Sequence, residues 1–547
     1  MADSKKKLVG WLLLGIGLIA LYVITRLVHL TSLPIFTDEA IYIRWSQIGM
    51  RDANWRFISL TDGKQPMFTW IMMILLRVFQ GHDPLFAGRF VSVLGGFFTA
   101  IGIWLLSYEL FRDKRVSWMA SVIYIILPFT VWYDRMALYD SLVSTFSVWS
   151  LYLAVQLAKY ERLDTALLLG LTIGAGLLNK TSELLTLYFL PVTLLLFDWS
   201  PKQRWTRLIR WTALALVSAA LSQICYSVLR LSPFFHMIAQ KDNVFVFTFS
   251  EWMHQPFRFL IGNLRGMFDW MRGYMTLPLF GLSLVPIFAR WPKFKERFLL
   301  FLWWLLPFAA LANFAKILYP RYILFMVMPL IVLAAYGFVR LWQAGSQKIA
   351  RAFLILFFLV PSLAITWSIV SNPFSALIPD ADRGQFIDDW PAGEGVKEVV
   401  AYLKAEAASQ KLSVYTEGTF GLMPYSLEIY LVENPNVKIT GIWPLPPDMP
   451  QSIINDALVK PTYLVMNETQ TAPAAWPLTL IGEYEKGRSP THRKLRFYRV
   501  HAPVTSASPV RSEMQSVGIT MPTATPTPTP TPVARNGNGN ARGKKSR

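Results

Sequence analysis

The chain has 547 residues, of which 53% are hydrophobic and only 16% are charged, and its mean hydropathy is +0.37. A soluble globular protein carries about 25% charged residues, so this composition excludes a wholly soluble or wholly disordered chain and indicates a polytopic membrane protein. The single cysteine, Cys225, excludes an internal disulfide, and the net charge of +19 reflects positive cytoplasmic loops rather than a nucleic-acid partner.

Apolar runs recur through the first 371 residues. Because a membrane helix needs about 20 mostly apolar residues, these runs predict eleven spans. The first run follows three lysines, and we expect a retained signal anchor rather than a cleaved signal peptide. The predicted spans cover residues 8–28, 86–108, 116–133, 141–158, 165–178, 184–197, 208–230, 276–290, 298–315, 321–342 and 351–371.

The run from Pro66 to Phe79 is ambiguous, because counting it as a span changes the side of every later loop. If it does not span, six short cytoplasmic segments together hold 19 Lys and Arg residues. The positive-inside rule favours this arrangement. We therefore predict that residues 66–79 form an amphipathic helix along the outer interface. The N-terminus is then cytoplasmic, the C-terminal part extracytoplasmic, and the expected location is the plasma membrane.

The composition changes after Ser371 to that of an ordinary soluble protein. Three parts are predicted: a transmembrane domain (1–371) with interfacial helices in its outer loop 29–85, a small extracytoplasmic α/β domain (372–503), and a disordered tail (504–547), rich in Thr and Pro and then basic. Periodicity within the α/β domain predicts helices at 396–408 and 422–431 and strands at 412–416, 437–442 and 462–466.

Charged residues stand at several predicted outer turns, beginning with the pair Asp38-Glu39 directly after the first span. Adjacent carboxylates are costly to hold near lipid and indicate water, partners or function. A solvated helix start capped by Thr37 would also account for them. Further on, Lys64 precedes Pro66 at the membrane surface, where it could bind a lipid phosphate or simply extend its amine to water.

Three later outer turns repeat this pattern. The segment from Tyr133 to Asp140 holds two acids and Arg135, whose guanidinium suits phosphate. Lys180 and Arg321 each stand in a further predicted outer turn. Every one of these signals is weak alone, but together they place acids and bases at one face of a helical bundle.

The order of these motifs resembles a known family. An outer Asp-Glu, then Lys-x-Pro, then Arg-Met-Ala-x-x-Asp and a late Arg-Tyr before an apolar run are similar to the membrane glycosyltransferases of the GT-C fold. The resemblance spans about residues 8–345 and is closest to the dolichyl-phosphate-mannose–protein mannosyltransferases and the aminoarabinose transferases that modify lipid A. It implies a polytopic α-helical protein of the GT-C type with a C-terminal extracytoplasmic α/β domain.

The resemblance also implies a polyprenyl-phosphate-linked sugar donor and a protein, lipid or glycan acceptor at the outer face. The family's catalytic base then corresponds to Asp38, and its phosphate-binding lysine and arginine correspond to Lys64 and Arg135. Beyond the resemblance, we expect Glu39 to orient this base or the acceptor, and Lys180 and Arg321 to join the donor phosphate site. Supporting roles are expected for residues near these motifs or in the second long outer segment, about residues 231–275. These residues are Tyr42, Asp134, Asp140, Tyr319, His254 and Arg258.

One departure concerns metal. Aminoarabinose transferases carry a glutamate directly before the matching lysine, where this chain has Gly63, with Asp62 one residue earlier. The six histidines show no ligand spacing either. No cofactor is therefore predicted with certainty, and a divalent metal stays open.

The chemistry favours an inverting transfer, with a carboxylate as general base and cations that stabilise the departing phosphate. The main alternative is a transporter or lipid flippase without transferase activity. Such proteins place charges near the bilayer midplane and carry internal repeats, neither of which the sequence indicates. A structural scaffold and a nucleotide-sugar transferase are weaker alternatives. Membrane lipids are expected partners, and the sugar, the acceptor and the oligomeric state stay open.

Overall fold

The computed structural model describes residues 2–200, 202–345, 347–487 and 493–503, and α-helices dominate it as far as Ser371. These helices are α1 (Ala2–Leu27), α2 (Thr37–Arg51), α3 (Met67–Val78), α4 (Pro84–Phe111), α5 (Lys114–Ile126), α6 (Pro128–Asp134), α7 (Asp140–Tyr160), α8 (Leu163–Leu177), α9 (Leu184–Phe189), α10 (Arg204–Ser227), α11 (Met237–Phe245), α12 (Phe249–His254), α13 (Leu260–Met275), α14 (Leu277–Phe288), α15 (Phe294–Phe314), α16 (Leu324–Ala344), α17 (Lys348–Leu354) and α18 (Val360–Ser371).

Within the described residues, seven helical segments are long and apolar enough to cross a membrane: Val9–Leu27, Pro84–Phe111, Asp140–Tyr160, Arg204–Leu231, Phe294–Phe314, Pro320–Ala344 and Lys348–Ser371. Two bent pairs, α5 with α6 at 61° and α13 with α14 at 106°, raise the number to nine if each counts as one span. Nine of the eleven predicted spans correspond to these segments and bent pairs. The other two predicted spans fall on the shorter apolar helices Leu163–Leu177 and Thr181–Leu196.

The ambiguous run 66–79 folds as α3, which has 12 residues. At 1.5 Å per residue it is about 18 Å long, well short of the roughly 30 Å of hydrocarbon that a span must cross. It packs through Phe68, Met72 and Leu76, which share one face, and leaves Ile74 and Val78 exposed on the other. A short helix with two apolar faces suits the predicted position along the membrane surface.

The C-terminal part contains a mixed sheet of five strands in the described chain, in the order β2-β1-β3-β5-β4. β1 pairs in parallel with β2 and β3, while β5 is antiparallel to β3 and β4. The elements are α19 (Asp380–Arg383), α20 (Val396–Ala407), β1 (Leu412–Glu417), α21 (Leu422–Leu431), β2 (Val437–Ile442), α22 (Gln451–Val459), β3 (Thr462–Met466), β4 (Leu478–Glu485) and β5 (Lys494–Val500).

This sheet confirms the predicted α/β fold of the C-terminal part. All five predicted helices and strands are present, with ends within one residue of prediction. α22, β4 and β5 were not predicted. The division at residues 371 and 503 stays a prediction, and the predicted disordered tail lies outside the described residues.

The C-terminal part packs directly on the loop between α1 and α4. Arg44 of α2 forms an ion pair with Glu428 of α21, and the side-chain amide of Gln47 donates to the Ile429 carbonyl at 2.9 Å. The Thr37 amide donates to the Pro391 carbonyl at 3.0 Å. The start of α2 is therefore held by residues more than 350 positions away in sequence.

A buried ion pair holds α2 against α4. Both oxygens of Glu39 accept hydrogen bonds from Arg89, each at 2.8 Å, and both side chains are almost fully buried. The remaining Arg89 donors bond to the carbonyls of Leu30, Leu33 and Pro34 at 2.8–3.0 Å. Arg89 thus fixes the chain between α1 and α2 as well as α2 itself.

A second buried carboxylate joins the C-terminal part to the helical bundle. Asp382 of α19 is fully buried and accepts hydrogen bonds from the hydroxyls of Tyr133 and Tyr274. Burial raises the pKa of the Asp382 carboxyl to about 7, although the two tyrosine hydrogen bonds and Arg321 act in the opposite direction.

We expect Arg89→Met to destabilise the protein strongly, because it leaves the Glu39 carboxylate buried without a partner. Loss of one member of a buried pair costs about 3–5 kcal/mol. Thermal unfolding in detergent measures the effect, with Arg77→Met, an exposed arginine on α3, as the control. Equal melting temperatures for the two variants would contradict this assignment.

The Asp382 carboxyl should make stability depend on pH. Its folded pKa, about 7, exceeds the value of about 3.9 for an unfolded aspartate, so the folded state keeps the proton longer. Stability therefore falls as pH rises from about 4 to 7 and is flat above. Asp382→Asn should remove that part of the slope between about pH 4 and pH 7, whereas Asp380→Asn, exposed on the same helix, should keep it. An unchanged slope in Asp382→Asn would refute the assignment.

Candidate active site

Asp38 occupies the first turn of α2, where its carboxylate faces two cations. One oxygen lies 3.7 Å from the Lys64 amine, and the other lies 3.0 Å from an Arg321 nitrogen. Burial raises the pKa of the Asp38 carboxyl, but the charges of Lys64, Arg321 and Lys241 outweigh burial and hold it below its usual value. Asp38 is therefore an ionised carboxylate at neutral pH.

Lys64 reaches Asp38 from the turn that follows a short 3₁₀ helix, Ile58–Asp62. Its amine also lies 3.5 Å from Asp62 and 4.7 Å from the centre of the Tyr42 ring. Burial lowers the pKa of the Lys64 amine, but Asp38 and Asp62 outweigh burial and raise it above its usual value. A charged lysine over an aromatic face and between two carboxylates is a fixed cation.

Arg321 lies on the 3₁₀ turn Pro320–Ile323, directly before α16. Its guanidinium carbon is 5.6 Å from the ring centre of Phe36, 5.3 Å from that of Tyr319 and 5.5 Å from that of Tyr322. One terminal nitrogen, Nη1, is buried without a hydrogen-bond partner in the described part of the chain. A buried guanidinium nitrogen left unpaired is costly and points to an anionic ligand.

Lys180 and Asp140 form a neighbouring pair with a separation of 2.8 Å. The Lys180 amine lies 4.3 Å from the ring centre of Tyr322, the same ring that borders Arg321. The Asn179 amide nitrogen donates to the Tyr139 carbonyl at 3.2 Å, which ties this turn to the start of α7. The structure therefore groups Lys180 and Asp140 with the Asp38 cluster through one tyrosine.

Of the residues predicted from sequence, the structure brings together Asp38, Lys64 and Arg321, with Tyr42 and Tyr319 as aromatic neighbours and Lys180 and Asp140 beside them. Glu39 does not face this cluster. Its carboxylate is used by Arg89 and also accepts the amides of Phe36 and Ala137 at 2.9 and 2.7 Å. Glu39 therefore shapes the start of α2 and has no free oxygen for substrate.

Arg135, predicted to bind the donor phosphate, is not in the cluster. Its guanidinium donates at 2.9–3.1 Å to four main-chain carbonyls at the end of α1, those of Thr25, Arg26, Val28 and His29. These carbonyls have no partner inside the helix, so Arg135 closes the helix end. This use corrects the expected contact with phosphate.

Three further predicted residues also lie elsewhere. Asp134 is buried against Arg26, 3.2 Å away, and accepts the Tyr124 hydroxyl. His254 is exposed on α12, where its ring bonds to the Ser250 carbonyl, and Arg258 is exposed beside Gln255. These contacts of His254 and Arg258 are with residues three or four positions away in sequence, so neither side chain belongs to the cluster.

Sequence reasoning left three cluster residues without an assigned role: Asp62, Lys241 and Tyr322. Asp62 forms ion pairs with both Lys64 and Lys241. Lys241 lies in α11, about 180 residues after Asp62. Lys241 is one of many charged residues in its segment, and nothing in the local sequence indicates that it contacts Asp62.

The acids of the cluster do not fit a divalent metal. Asp38 lies between Lys64 and Arg321, and Asp62 lies between Lys64 and Lys241. Within residues 2–200, 202–345, 347–487 and 493–503, no group of three or more His, Cys, Asp or Glu side chains is placed to hold a metal ion. The positive charge at these carboxylates comes from the chain itself.

Sequence comparison connects part of the chain to known families. Residues 63–225 match the family model for dolichyl-phosphate-mannose–protein mannosyltransferase. An undecaprenyl phosphate-α-4-amino-4-deoxy-L-arabinose arabinosyl transferase of Proteus mirabilis is 26% identical over 352 residues, 62% of this chain and 61% of that protein. Its counterpart in Pseudomonas aeruginosa is 24% identical over 364 residues, 64% and 62% of the two chains. The chain thus matches slightly over three fifths of the length of these relatives.

Solved structures extend the likeness to most of the chain. The apo crystal structure of ArnT from Cupriavidus metallidurans superposes with a TM-score of 0.57 at 14% identity, over 92% of this chain and 100% of that one. The same protein bound to undecaprenyl phosphate gives a TM-score of 0.54 at 13% identity, over 91% and 99%. This likeness confirms the predicted fold and the predicted resemblance: the chain is a polytopic membrane protein with the GT-C fold of membrane glycosyltransferases.

Proposed function

We propose that this protein is a membrane glycosyltransferase that moves a sugar from a polyprenyl-phosphate-linked donor to an acceptor hydroxyl or amine. One observation carries the proposal: an ionised carboxylate, Asp38, lies between two fixed cations, and one of these, Arg321, keeps a buried nitrogen unpaired in the described chain. A base and a phosphate site adjoin each other there. The similarity to the arabinosyl transferases named above supports the donor class.

In the proposed reaction, Asp38 takes the proton of the acceptor as its oxygen or nitrogen bonds to the anomeric carbon of the sugar. The bond from that carbon to the phosphate oxygen breaks, and the electron pair leaves with the polyprenyl phosphate. Lys64 and Arg321 stabilise the charge that develops on the departing phosphate. A single displacement inverts the anomeric centre.

The ion pairs also suggest how the base becomes active. Without donor, Lys64 and Arg321 hold the pKa of Asp38 down, and a carboxylate of low pKa is a weak base. A donor phosphate shares these two cations, so the pKa of Asp38 rises towards its usual range. Donor binding therefore precedes proton removal.

The orientation follows from charge. In the topology predicted from sequence, the six short segments on the side opposite Asp38 hold 19 Lys and Arg residues, and the positive-inside rule makes that side cytoplasmic. The C-terminal part contacts the segment that carries Asp38, so it shares the outer side with the cluster. We infer a cytoplasmic N-terminus, an extracytoplasmic site and C-terminal domain, and the plasma membrane as location.

The acceptor class is a protein, a membrane lipid or a cell-envelope glycan. The segment from Phe386 to Ala392 of the C-terminal part contacts the start of α2, so this part gives the acceptor a surface close to the base. We propose recognition of the acceptor as the role of this domain, which has boundaries at residues 372 and 503.

Asp38→Asn should lower the rate of sugar transfer by about 100-fold or more, because a general base supplies about 10²–10⁴-fold. The measurement is transfer in membranes from a panel of labelled polyprenyl-phosphate monosaccharides. Binding of the donor should persist, since asparagine keeps the shape and removes a negative charge. Asp52→Asn, at the other end of α2 and exposed, is the matched control. Turnover of Asp38→Asn within a few-fold of the wild type would remove Asp38 as base.

Lys64→Met and Arg321→Gln should each weaken binding of undecaprenyl phosphate to the purified protein by about tenfold or more. A hydrogen bond to a charged group contributes about 1.5–3 kcal/mol, and each 1.4 kcal/mol is a factor of ten. Arg258→Gln removes an exposed outer arginine away from the cluster and should bind as the wild type does. Equal loss in all three variants would indicate a general effect of charge and would contradict a phosphate site at Lys64 and Arg321.

A further inference from the structure

Helix α11 connects the second outer segment to both turns that carry the cluster lysines. The Lys241 amine lies 2.7 Å from an Asp62 oxygen, two residues before Lys64. The next residue, Asp242, accepts a hydrogen bond from the Thr181 hydroxyl at 3.2 Å, and Thr181 directly follows Lys180. Consecutive side chains of α11 thus hold the Lys64 turn and the Lys180 turn in place.

Gly63 makes this close approach of α11 feasible. Its φ is +67°, in the left-handed region that favours glycine. A Cβ atom at this position would lie 2.5 Å from the Met237 carbonyl oxygen and 2.6 Å from the Lys241 Cβ. Any larger residue, a glutamate included, would push α11 away and separate Lys241 from Asp62.

The result is a continuous series of alternating charges in the order Arg321, Asp38, Lys64, Asp62 and Lys241, joined at 3.0, 3.7, 3.5 and 2.7 Å. Three cations face two carboxylates, so the series carries one positive charge in excess. Without Lys241, Asp62 would bind Lys64 alone and draw its amine away from Asp38. The distances agree, since Asp62 holds Lys241 more closely than it holds Lys64.

We propose that Lys241 is a positioning residue for Lys64 and serves as the fixed cation that a divalent metal would otherwise supply, so that this site binds its donor phosphate without metal. The inference rests on the proposed function. Lys241 neutralises Asp62 and leaves the Lys64 amine free to bind phosphate. Gly63 and Lys241 act together, because the absence of a side chain at Gly63 leaves room for Lys241 to approach Asp62.

The test measures binding of undecaprenyl phosphate to the purified full chain, with EDTA and with added Mg²⁺, Mn²⁺ or Zn²⁺. The wild type should bind equally in all four conditions. Lys241→Met should bind about tenfold more weakly or worse, and Lys241→Arg should recover most of the loss because it keeps the charge. Lys460→Met is the matched control: Lys460 also forms an ion pair, with Asp456 at 3.3 Å, but within the C-terminal part and on the helix α22 rather than beside α11.

A transfer assay adds a readout that separates positioning from folding. Lys241→Met should raise the KM for the donor more than it lowers kcat, and Gly63→Ala should do the same because it displaces α11. Wild-type binding that EDTA abolishes, or Lys241→Met binding equal to that of the wild type, would overturn the inference. Equal loss in Lys241→Met and Lys241→Arg would do so as well, since it would show a purely structural role.

These outcomes are distinct from failure of the proposed function. If the wild type binds undecaprenyl phosphate only with metal, the site stands and the inference about Lys241 fails. If the wild type does not bind it under any condition, the proposed function and the inference fail together.

Discussion

The contact of the Asp38 carboxylate with Lys64 and Arg321 is the interaction on which the surrounding structure depends. Its three members come from three separate segments: the start of α2, the turn after residue 62 and the turn before α16. None of these segments is held by its own sequence alone. Each is fixed by a buried ion pair, a close main-chain approach or an aromatic cluster, and those features explain much of the surrounding structure.

The C-terminal part supports the same contact from outside the bundle. Phe36 pairs with Ala392 through its main chain, and a Cβ at Gly393 would lie 2.5 Å from the Ile35 carbonyl oxygen. The Phe36 ring packs on Phe386, 4.6 Å between centres. Ile35 and Phe36, the two residues before α2, are therefore held in place by residues 386–393. A substitution in this segment can shift Asp38 without contacting the substrate.

Hydropathy and charge were sufficient to predict the class of fold, because long apolar runs and basic loops follow directly from the cost of placing polar groups in lipid. They could not separate Asp38 from Glu39. Neighbours on a helix point about 100° apart, so one carboxylate faces the cluster and the other faces Arg89. Arg89 did carry a signal, since an arginine inside a predicted apolar run requires a buried partner.

Other features were beyond sequence reasoning for a physical reason. Lys241 and Asp62 meet only through tertiary packing across 179 positions, which no local pattern records. The sequence around Arg135 indicates a phosphate ligand, because the packing of Arg135 against the carbonyls at the end of α1 is a tertiary contact that the local pattern does not record. In β5 the burial of Leu495 and Phe497 follows strand alternation, but the neighbouring basic residues Lys494 and Arg496 hid that pattern.

The most direct measurement is an experimental structure of the full chain with undecaprenyl phosphate. We expect phosphate oxygens within about 3 Å of the Lys64 amine and of the Arg321 nitrogen that lacks a partner in the described chain, with Lys241 still paired with Asp62. A phosphate seated elsewhere, with the contacts of Asp38 to Lys64 and Arg321 intact, would contradict this expectation.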